Sequence, residues 1–583
     1  MKREPGESTT NREIAAVLEV LPHLGTAGTR SAHLHVDSRV TTALPSDLAS
    51  RRRIRALRLL GTIGSLLIGC GALGAGALPV TSNPYRSYPF GSLAAAMLPT
   101  ATAVVLTGVG LLVIAWALLA PWCGARILPS SPAAARMTTG EVVRTAIAWM
   151  TPIALTAPMF TQDIYSYLAQ GKITAIGLDP YSGGPVDLLG VADSFARSVP
   201  YIWSHSPSPY GPVALGIAAA IYQLTGTHTL LAVLAHRAIS VAGWALAGWA
   251  IAHLAKRCGV VVPAALWLAI LNPLTLLHLI GGIHNESYQM GLALAGVEIS
   301  LRGISRIQGV FGPAAYRRGW LLFIGGGILI VAAGLVKVTG FVPLGFTGMA
   351  LARSLARRRS TVPTTAAAAS SDPTSPTLRH HWLAVLQAVT TQLAVLVGGI
   401  ACFTILTGIP LGWITGQGGA ATVRSWLSLT TAIGVIAGWV GQLAGLGDHT
   451  DPALTVTRTV GLLIAGCFVV RMLYATFRGA IHPVGAWGVS MIVVVILFPV
   501  VHPWYVLWAL LPLAAWANRP AFVGTAALYC AIVSLIVLPR GLSLPIGVVA
   551  ASYLTATIAW LVITACYWQV CRLPRRNALH LNA

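Results

Sequence analysis

Charged residues are scarce in this 583-residue chain, at 9%, whereas 55% of its residues are hydrophobic and the mean hydropathy is +0.74. A soluble domain carries about 25% charged residues, so the composition excludes a soluble protein and indicates a membrane protein. Acids are the scarcest: 16 Asp and Glu face 38 Lys and Arg, a net charge of +22. The basic residues form short clusters between apolar runs, as cytoplasmic loops do, so the predicted partner is the lipid bilayer and not nucleic acid.

The chain also lacks CxxC pairs and a recognisable cleavable signal peptide. Its eight cysteines lie in or beside apolar runs, which gives no indication of a disulfide framework or a zinc site. Residues 1–53 hold no long apolar run and are predicted to be a disordered cytoplasmic N-terminus. The first apolar run begins near residue 57 and is long enough to remain as a membrane helix.

Apolar runs of about 20 residues predict an all-α polytopic protein with about 14 transmembrane helices. The arginine cluster RRRIRALR places the N-terminus in the cytoplasm. The same rule treats 211–225 and 425–446 as helices on the outer surface, because spanning helices there would put later basic clusters outside. Two large extracytoplasmic loops, about 161–229 and 409–455, follow from this. The predicted spans are 57–80, 94–121, 142–160, 230–254, 260–281, 285–301, 320–336, 338–352, 382–408, 456–475, 483–500, 504–517, 520–539 and 543–570.

A basic and then Ala-, Ser-, Thr- and Pro-rich segment, 353–381, predicts a flexible cytoplasmic loop between two halves. The N-terminal transmembrane half, 54–352, is predicted to be catalytic. The C-terminal transmembrane half, 382–571, is followed by a cytoplasmic tail, 572–583. No internal repeat is evident, which disfavours an inverted-repeat transporter.

Two outward-facing acids, Asp163 and Glu286, stand directly at the end of a predicted membrane helix. Partial desolvation at such a place raises the pKa of a carboxyl group and makes it a better base. The stretch DIYSYLAQGK puts Tyr165 and Lys172 near Asp163, a combination that suits a sugar or a phosphate. The alternative for Asp163 is a helix cap or an interfacial charge.

Around Glu286 the chain reads HNE, with His284 and Asn285 at the predicted start of a helix. Capping of that helix explains part of the pattern. The three polar side chains also suit a hydroxyl group, a phosphate or a divalent cation. Three adjacent residues are a weak metal signal, because they point in different directions on a helix. The divalent cation therefore stays an open alternative, and no other cofactor is predicted.

Four features together resemble the GT-C glycosyltransferases, polytopic enzymes that use polyprenyl-phosphate sugars. They are the acid after an early membrane helix, the outward loop with PSPYGP, the HNE and a late HPWY. The segments DIYSYLAQGKITAIGLDPYSGGP and SPYGPVALGIAAAIYQLTG are more similar to the actinobacterial polyprenyl-phosphomannose-dependent α-(1→6)-mannosyltransferases of lipomannan synthesis, the MptA/MptB type. The resemblance extends over about residues 55–570.

The resemblance implies an extracytoplasmic active site at the plasma membrane, a polyprenyl-phosphate-mannose donor and a mannolipid acceptor. It implies Asp163 as the base that takes the proton of the acceptor 6-hydroxyl while the mannose C1 is attacked with inversion. The leaving phosphate needs positive charge. The outward candidates are Lys172, Arg237, Lys337 and Arg424.

Aromatic side chains near these groups are candidates for sugar contacts. Trp and Tyr also form belts at both membrane interfaces, which is the alternative for each of them. The HPWY stretch ranks first, because it adds His502 to two aromatic rings. The aromatic candidates are Tyr165, Tyr181, Tyr210, Trp413, Trp426, Trp504 and Tyr505.

Two other functions share parts of this pattern. A lipid-linked sugar flippase would place charges near the middle of the bilayer and show repeated halves, whereas the acids here gather at one face. A GT-C enzyme for another sugar, such as an arabinosyltransferase, shares the base and the phosphate site. The sequence barely separates it from a mannosyltransferase.

Overall fold

The computed structural model describes residues 47–128, 135–309, 312–361, 375–416, 423–425, 427–541 and 544–572. The described residues form helices and connecting turns and contain no β-strand, which confirms the all-α prediction. The helices of eight residues or more are Leu48–Ala75, Leu98–Leu119, Thr139–Ala154, Asp163–Ala175, Pro212–Thr225, Thr229–Arg257, Val262–Ala269, Glu286–Gln308, Pro313–Gly334, Val342–Thr361, Ser375–Thr407, Leu429–Leu443, Thr450–Arg478, Pro483–Leu497, Leu507–Ala514, Pro520–Ile536 and Ile546–Arg572.

Among the described residues, seven helices are long and apolar enough to cross a membrane. An eighth span is formed if the bent pair Val262–Ala269 and Pro273–Gly281, with 48° between its parts, counts as one. The chain is therefore a multi-pass membrane protein, whereas the predicted number of fourteen spans is not confirmed. The seven helices are Leu48–Ala75, Leu98–Cys123, Thr229–Arg257, Pro313–Gly334, His380–Thr407, Thr450–Arg478 and Ile546–Cys566.

The two stretches assigned to the outer surface form short helices. Pro212–Thr225 has 14 residues and Leu429–Leu443 has 15. At 1.5 Å per residue each is about 21–23 Å long, less than the roughly 30 Å of hydrocarbon that a spanning helix must cross. Their length fits a surface position, and that position stays a prediction.

Two predicted boundaries are wrong. The flexible loop 353–381 is helical at both ends, because Val342–Thr361 and Ser375–Thr407 extend into it, and its middle, 362–374, lies outside the described residues. Leu, Ala and Arg are strong helix formers, so the basic run RSLARRR continues the preceding helix. The predicted disordered N-terminus also ends earlier than residue 53, because Asp47 caps a helix that begins at Leu48.

Close helix packing fixes the helix that begins at Glu286. The backbones of Gly291 and Gly243 are in contact, so a Cβ on either glycine would meet the other helix. Small residues allow membrane helices to approach in this way. The helix that begins at Asp163 packs in a similar manner, with Gly171 against the backbone of Ala218 in the short helix Pro212–Thr225. The starts of both helices are therefore held by their neighbours.

Candidate active site

Two strained turns lead into the two acidic helix starts. Phe160 has a φ of 66° and lies three residues before Asp163, and Ile283 has a φ of 56° and lies three residues before Glu286. Few non-glycine residues adopt this left-handed conformation, and a β-branched residue such as Ile is an outlier there. Such strain persists where the surroundings enforce it, and it is concentrated at functional sites. The Phe160 N–H donates to the carbonyl of Pro539 at 2.6 Å, which is one such restraint.

Arg237 links the two turns by hydrogen bonds to backbone carbonyls that precede them. Its side chain is 2% exposed, and its guanidinium donates to the carbonyls of Ala154, Thr156, Ile280 and Gly281. The first two carbonyls belong to the segment that leads to Asp163, and the last two precede His284. The sequence predicted a phosphate or an acid as the partner of Arg237. The structure shows backbone carbonyls at two helix ends in that place, and such carbonyls have no N–H donor within their own helix. Arg237 therefore supports the site and does not face substrate.

The two acids meet at His284. Its Nδ1 lies 3.6 Å from Oδ2 of Asp163 and 4.0 Å from Oε2 of Glu286. The Lys337 ammonium lies 2.8 Å from Oε1 of Glu286 and donates to the Tyr505 hydroxyl at 3.1 Å. Asp163 is the more accessible acid, with a side chain 20% exposed against 3% for Glu286. Glu286 is thus the paired acid, and Asp163 is the one that opens to the outside.

Aromatic rings line one side of the cluster formed by Asp163, His284, Glu286 and Lys337. Trp504 stacks on His284 with 4.0 Å between ring centroids, and on His502 with 4.7 Å. The Lys337 ammonium sits 4.5 Å from the ring centroid of Tyr505 and 4.9 Å from that of Trp508. Cation–π contacts of this kind stabilise a partly desolvated ammonium group. The wall therefore holds the cation and the imidazole at fixed positions beside the two acids.

The environment separates the protonation states of these groups. Burial raises the pKa of Asp163, and the charge of Glu286 raises it further, to about 6, against the opposing effects of Thr161 and Lys337. Burial lowers the pKa of His284 to about 3, so its imidazole is neutral at pH 7. Burial alone would lower the pKa of Lys337, but the charge of Glu286 raises it above the ordinary value. At neutral pH, Asp163 is a carboxylate with a strengthened affinity for a proton.

The structure brings together seven of the predicted site residues and places Tyr210 beside them. Burial, and then the charges of Lys337 and Asp163, act on the Tyr210 hydroxyl, with a net rise of its pKa. Tyr181 donates its hydroxyl to the Tyr210 carbonyl at 2.9 Å and so holds this backbone in place. The seven residues are Asp163, His284, Glu286, Lys337, His502, Trp504 and Tyr505.

Three predicted residues have structural contacts in place of substrate contacts. Tyr165 is buried, and its hydroxyl donates to the Ala77 carbonyl at 2.7 Å. Lys172 forms an ion pair with Asp193. Trp413 is buried against Phe341, with 5.8 Å between ring centroids. Each of these side chains braces the outer loops, so we no longer expect it to contact the reacting sugar.

The remaining predicted residues are accounted for as follows. Asn285 precedes the helix start but makes no capping bond with its side chain, which accepts from the Tyr288 hydroxyl at 2.8 Å. The capping explanation for this motif is therefore wrong. Arg424 pairs with Asp451 at 2.9 Å, away from the cluster. Trp426 lies outside the described residues.

Metal binding was the open alternative for the HNE motif. Within the described ranges, no group of three or more His, Cys, Asp and Glu is arranged to hold a metal ion. The cation that the structure places beside Glu286 is the Lys337 ammonium. A divalent cation stays an untested expectation.

Comparisons with known proteins agree with the motifs of this site. The family model described as "Alpha-(1->6)-mannopyranosyltransferase, N-terminal domain" matches residues 58–353, and the "MptB C-terminal domain" matches 430–565. The chain is 49% identical to alpha-(1->6)-mannopyranosyltransferase B of Corynebacterium glutamicum, over 98% of this chain and 94% of that protein. This chain belongs to the alpha-(1->6)-mannopyranosyltransferase family.

Two further comparisons give a more distant relative and a solved structure. A probable alpha-(1->6)-mannopyranosyltransferase of Mycolicibacterium smegmatis is 36% identical, over 83% of this chain and 82% of that protein. Among solved structures, the oligosaccharyltransferase of Archaeoglobus fulgidus matches with a TM-score of 0.32 and 13% identity, over 74% of this chain and 55% of that chain. That structural likeness is too weak to carry an argument about this mannosyltransferase.

The sequence analysis missed three residues of this mannosyltransferase. Trp508 supports Lys337, and the Trp203 side chain hydrogen-bonds the Asp163 carboxylate. Arg540 follows Pro539, whose carbonyl holds the strained turn before Asp163, and it makes no ion pair or hydrogen bond with the described residues. A half-buried arginine in a short outward loop between two apolar helices was the available signal for Arg540.

Replacing Arg237 tests its supporting role. Arg237→Met removes the guanidinium donor from four carbonyls, of which Gly281 keeps the Met159 N–H. Since one unsatisfied buried group costs about 1–3 kcal/mol, we expect a loss of unfolding free energy on the order of 3 kcal/mol. Arg237→Lys should lose less, because its ammonium reaches part of the carbonyl set. Thermal unfolding of the detergent-solubilised protein measures both. Arg306→Met, an exposed change on a neighbouring helix, is the control, and equal stability of R306M and R237M would contradict the role.

Proposed function

We propose that this mannosyltransferase moves mannose from polyprenyl-phosphate-mannose to the 6-hydroxyl of a growing α-(1→6)-mannan of lipomannan. The reaction takes place at the extracytoplasmic face of the plasma membrane, within a GT-C architecture. The observation that carries the proposal is the pairing of Asp163, a carboxylate with a raised pKa, with the Lys337 ammonium in one aromatic-walled cluster. A hydroxyl nucleophile requires a base, and a phosphate leaving group requires a cation.

In this mechanism Asp163 takes the proton of the acceptor 6-hydroxyl as its oxygen attacks the mannose C1. The bond from C1 to the phosphate oxygen breaks on the opposite face, and its electron pair leaves with the polyprenyl phosphate. A single displacement inverts C1, so a β-linked donor gives an α product. His284 is neutral and faces both acids, so it lies beside Asp163 without competing for the proton.

The charge of the cluster limits how the donor binds. Asp163 and Glu286 carry two negative charges against the single positive charge of Lys337, so the cluster has one excess negative charge when Asp163 is ionised. A phosphate therefore needs a further cation nearby. Arg540 is our candidate for this cation, because the residues on either side of it pack on the turn before Asp163: Pro539 accepts from the Phe160 N–H, and Gly541 lies against Thr161. We assign Lys337 and Arg540 to the donor phosphate.

Asp163→Asn tests the base. Asn keeps the shape of the side chain but cannot take a proton, so we expect transfer to fall by about 10²–10⁴-fold. Membranes with the wild type or the variant receive polyprenyl-phosphate-mannose and a short α-(1→6)-mannoside, and mannose transfer is measured at equal protein abundance. Asp179→Asn, at an exposed turn of the same loop, should keep its activity. Full activity of D163N would refute the assignment, and transfer from arabinosyl phosphate alone would assign a different sugar.

The pH profile tests the raised pKa. A base must be unprotonated, so kcat/KM should be constant above about pH 6 and fall tenfold per pH unit below it. Glu286→Gln removes a negative charge that raises this pKa, so the break should move to lower pH in that variant. Rates measured from pH 4.5 to 8 in matched membranes decide the point. A profile that stays flat down to about pH 4.5 in the wild type would show that Asp163 is not raised.

A paired variant tests Lys337. Lys337→Met alone leaves Glu286 buried without a cation, which is costly and confounds folding. The double variant Lys337→Met with Glu286→Gln removes both charges, so it should fold yet lose about 10²–10³-fold in transfer, since the leaving phosphate loses one of its two assigned cations. Abundance, thermal unfolding and transfer are compared with Glu286→Gln alone. If the double variant is as active as E286Q, Lys337 has no part in transfer.

A further inference from the structure

A second group of charged side chains lies on a groove outside the catalytic cluster. The groove has a volume of about 580 Å³ and its lining includes none of the cluster residues. Two arginines and one acid stand at its polar part, and leucines and a proline form its apolar wall. The residues used below are Arg424, Asp451, Leu454, Arg458, Leu462 and Pro499.

The lining of the groove carries two arginines and one acid, and hydrogen bonds, with a contribution from the charge of Arg424, lower the pKa of Asp448, just outside the lining. Arg424 and Asp451 are joined at 2.9 Å, with side chains 54% and 82% exposed. An ion pair that exposed is weak and opens readily for a competing anion. Arg458 is fixed more firmly, because it donates to the Thr431 hydroxyl at 3.1 Å and to the Val423 carbonyl at 2.9 Å. An anion that displaces Asp451 from Arg424 would therefore meet two guanidinium groups.

Arg458 lies within a helix that is apolar enough to span a membrane. It is eight residues beyond the start of Thr450–Arg478, about 12 Å along the helix axis. Ionisable residues within apolar helices of this kind are rare and often belong to binding or transport sites. One turn further, Leu462 is 49% exposed, and Leu454 lines the same wall. A cationic part above an apolar wall matches an amphiphile with an anionic head and a hydrocarbon chain.

One short segment of chain connects this groove with the catalytic cluster. Pro499 lines the groove, and the carbonyl of Val501 accepts from the Ser425 hydroxyl at 2.5 Å, next to Arg424. The side chains of Trp504 and Tyr505 in the same segment belong to the catalytic cluster. A lipid in the groove would therefore place its headgroup a few residues' length from the base.

We propose that this groove binds the anionic anchor of the lipid-linked acceptor, a phosphate-bearing amphiphile with its hydrocarbon along Leu454 and Leu462. The inference rests on the proposed function. The donor is a poorer occupant, because its phosphate is the leaving group and must lie at C1 beside Asp163 and Lys337. The acceptor has no such constraint, since mannose residues separate its anchor from the reacting hydroxyl.

Three acceptors with the same α-(1→6)-linked dimannoside show whether binding depends on the phosphate of the anchor, on its hydrocarbon or on the sugar. One carries a phosphatidyl anchor, one a neutral diacylglycerol anchor, and one is the free dimannoside. For Arg424→Gln we expect the KM of the phosphatidyl acceptor to rise by about three- to tenfold, with the other two acceptors and the donor unchanged. Asp451→Asn should lower the KM of the phosphatidyl acceptor, because Arg424 loses its competing partner. Arg471→Gln, exposed near the other end of the same helix, is the matched control.

Several outcomes would overturn the proposal. They are an R424Q effect on the donor KM, an equal effect on the neutral and phosphatidyl acceptors, and no effect from either R424Q or D451N. Dependence on bulk anionic phospholipid in place of the acceptor anchor would likewise assign the groove to the membrane. Failure of the wild type with the free dimannoside would count against the proposed function instead. Native mass spectrometry with the phosphatidyl dimannoside then tests the groove directly, and unchanged binding to R424Q would refute it.

Discussion

The site depends on one buried guanidinium group. Arg237 lies about two turns into the helix Thr229–Arg257 and donates to carbonyls at the ends of two other segments. Those carbonyls have no partner within their own helices, and the arginine would be costly at this depth without them. The guanidinium group thus supplies donors to these carbonyls, and the carbonyls supply acceptors to the guanidinium group. The result is a fixed distance between the turn that leads to Asp163 and the turn that leads to Glu286, including their strained residues.

Because the two turns are fixed, Asp163 and Glu286 stay on either side of the His284 ring in different surroundings. Their carboxyl groups therefore differ in pKa. Glu286 is the acid with a cation in contact, and Asp163 meets a neutral His284 at the corresponding place. Pairs of titratable groups whose environments push their pKa values apart are typical of acid–base sites. The asymmetry comes from Lys337, whose ammonium is held between Glu286 and the faces of two aromatic rings. The aromatic wall therefore helps to hold the cation at Glu286 and not at Asp163.

The sequence was sufficient for the class of protein, the family and the two acids. Asp163 and Glu286 stand out because acids are rare in this chain, and the HNE and HPWY motifs mark segments that the fold does bring together. Sequence could not choose among the four candidate cations, since the choice depends on which carboxylate or carbonyl each one meets in space. Arg237 shows this best, because its partners are backbone carbonyls, which every residue has and no motif records. The helical ends of the 353–381 segment were missed because composition was weighed above the helix propensity of its basic run.

Three other acids differ from Asp163 in having a basic partner. Asp193 pairs with Lys172, Asp187 contacts His205 at 2.6 Å, and Asp451 pairs with Arg424 at 2.9 Å. Each of these three acids has a basic partner in its own loop or groove. Asp163 has the charge of Glu286 nearby, and the nearest ammonium group is committed to that second acid. Burial, together with the charge of Glu286, raises the pKa of Asp163. In the proposed mechanism it is this carboxylate that takes the proton of the sugar hydroxyl.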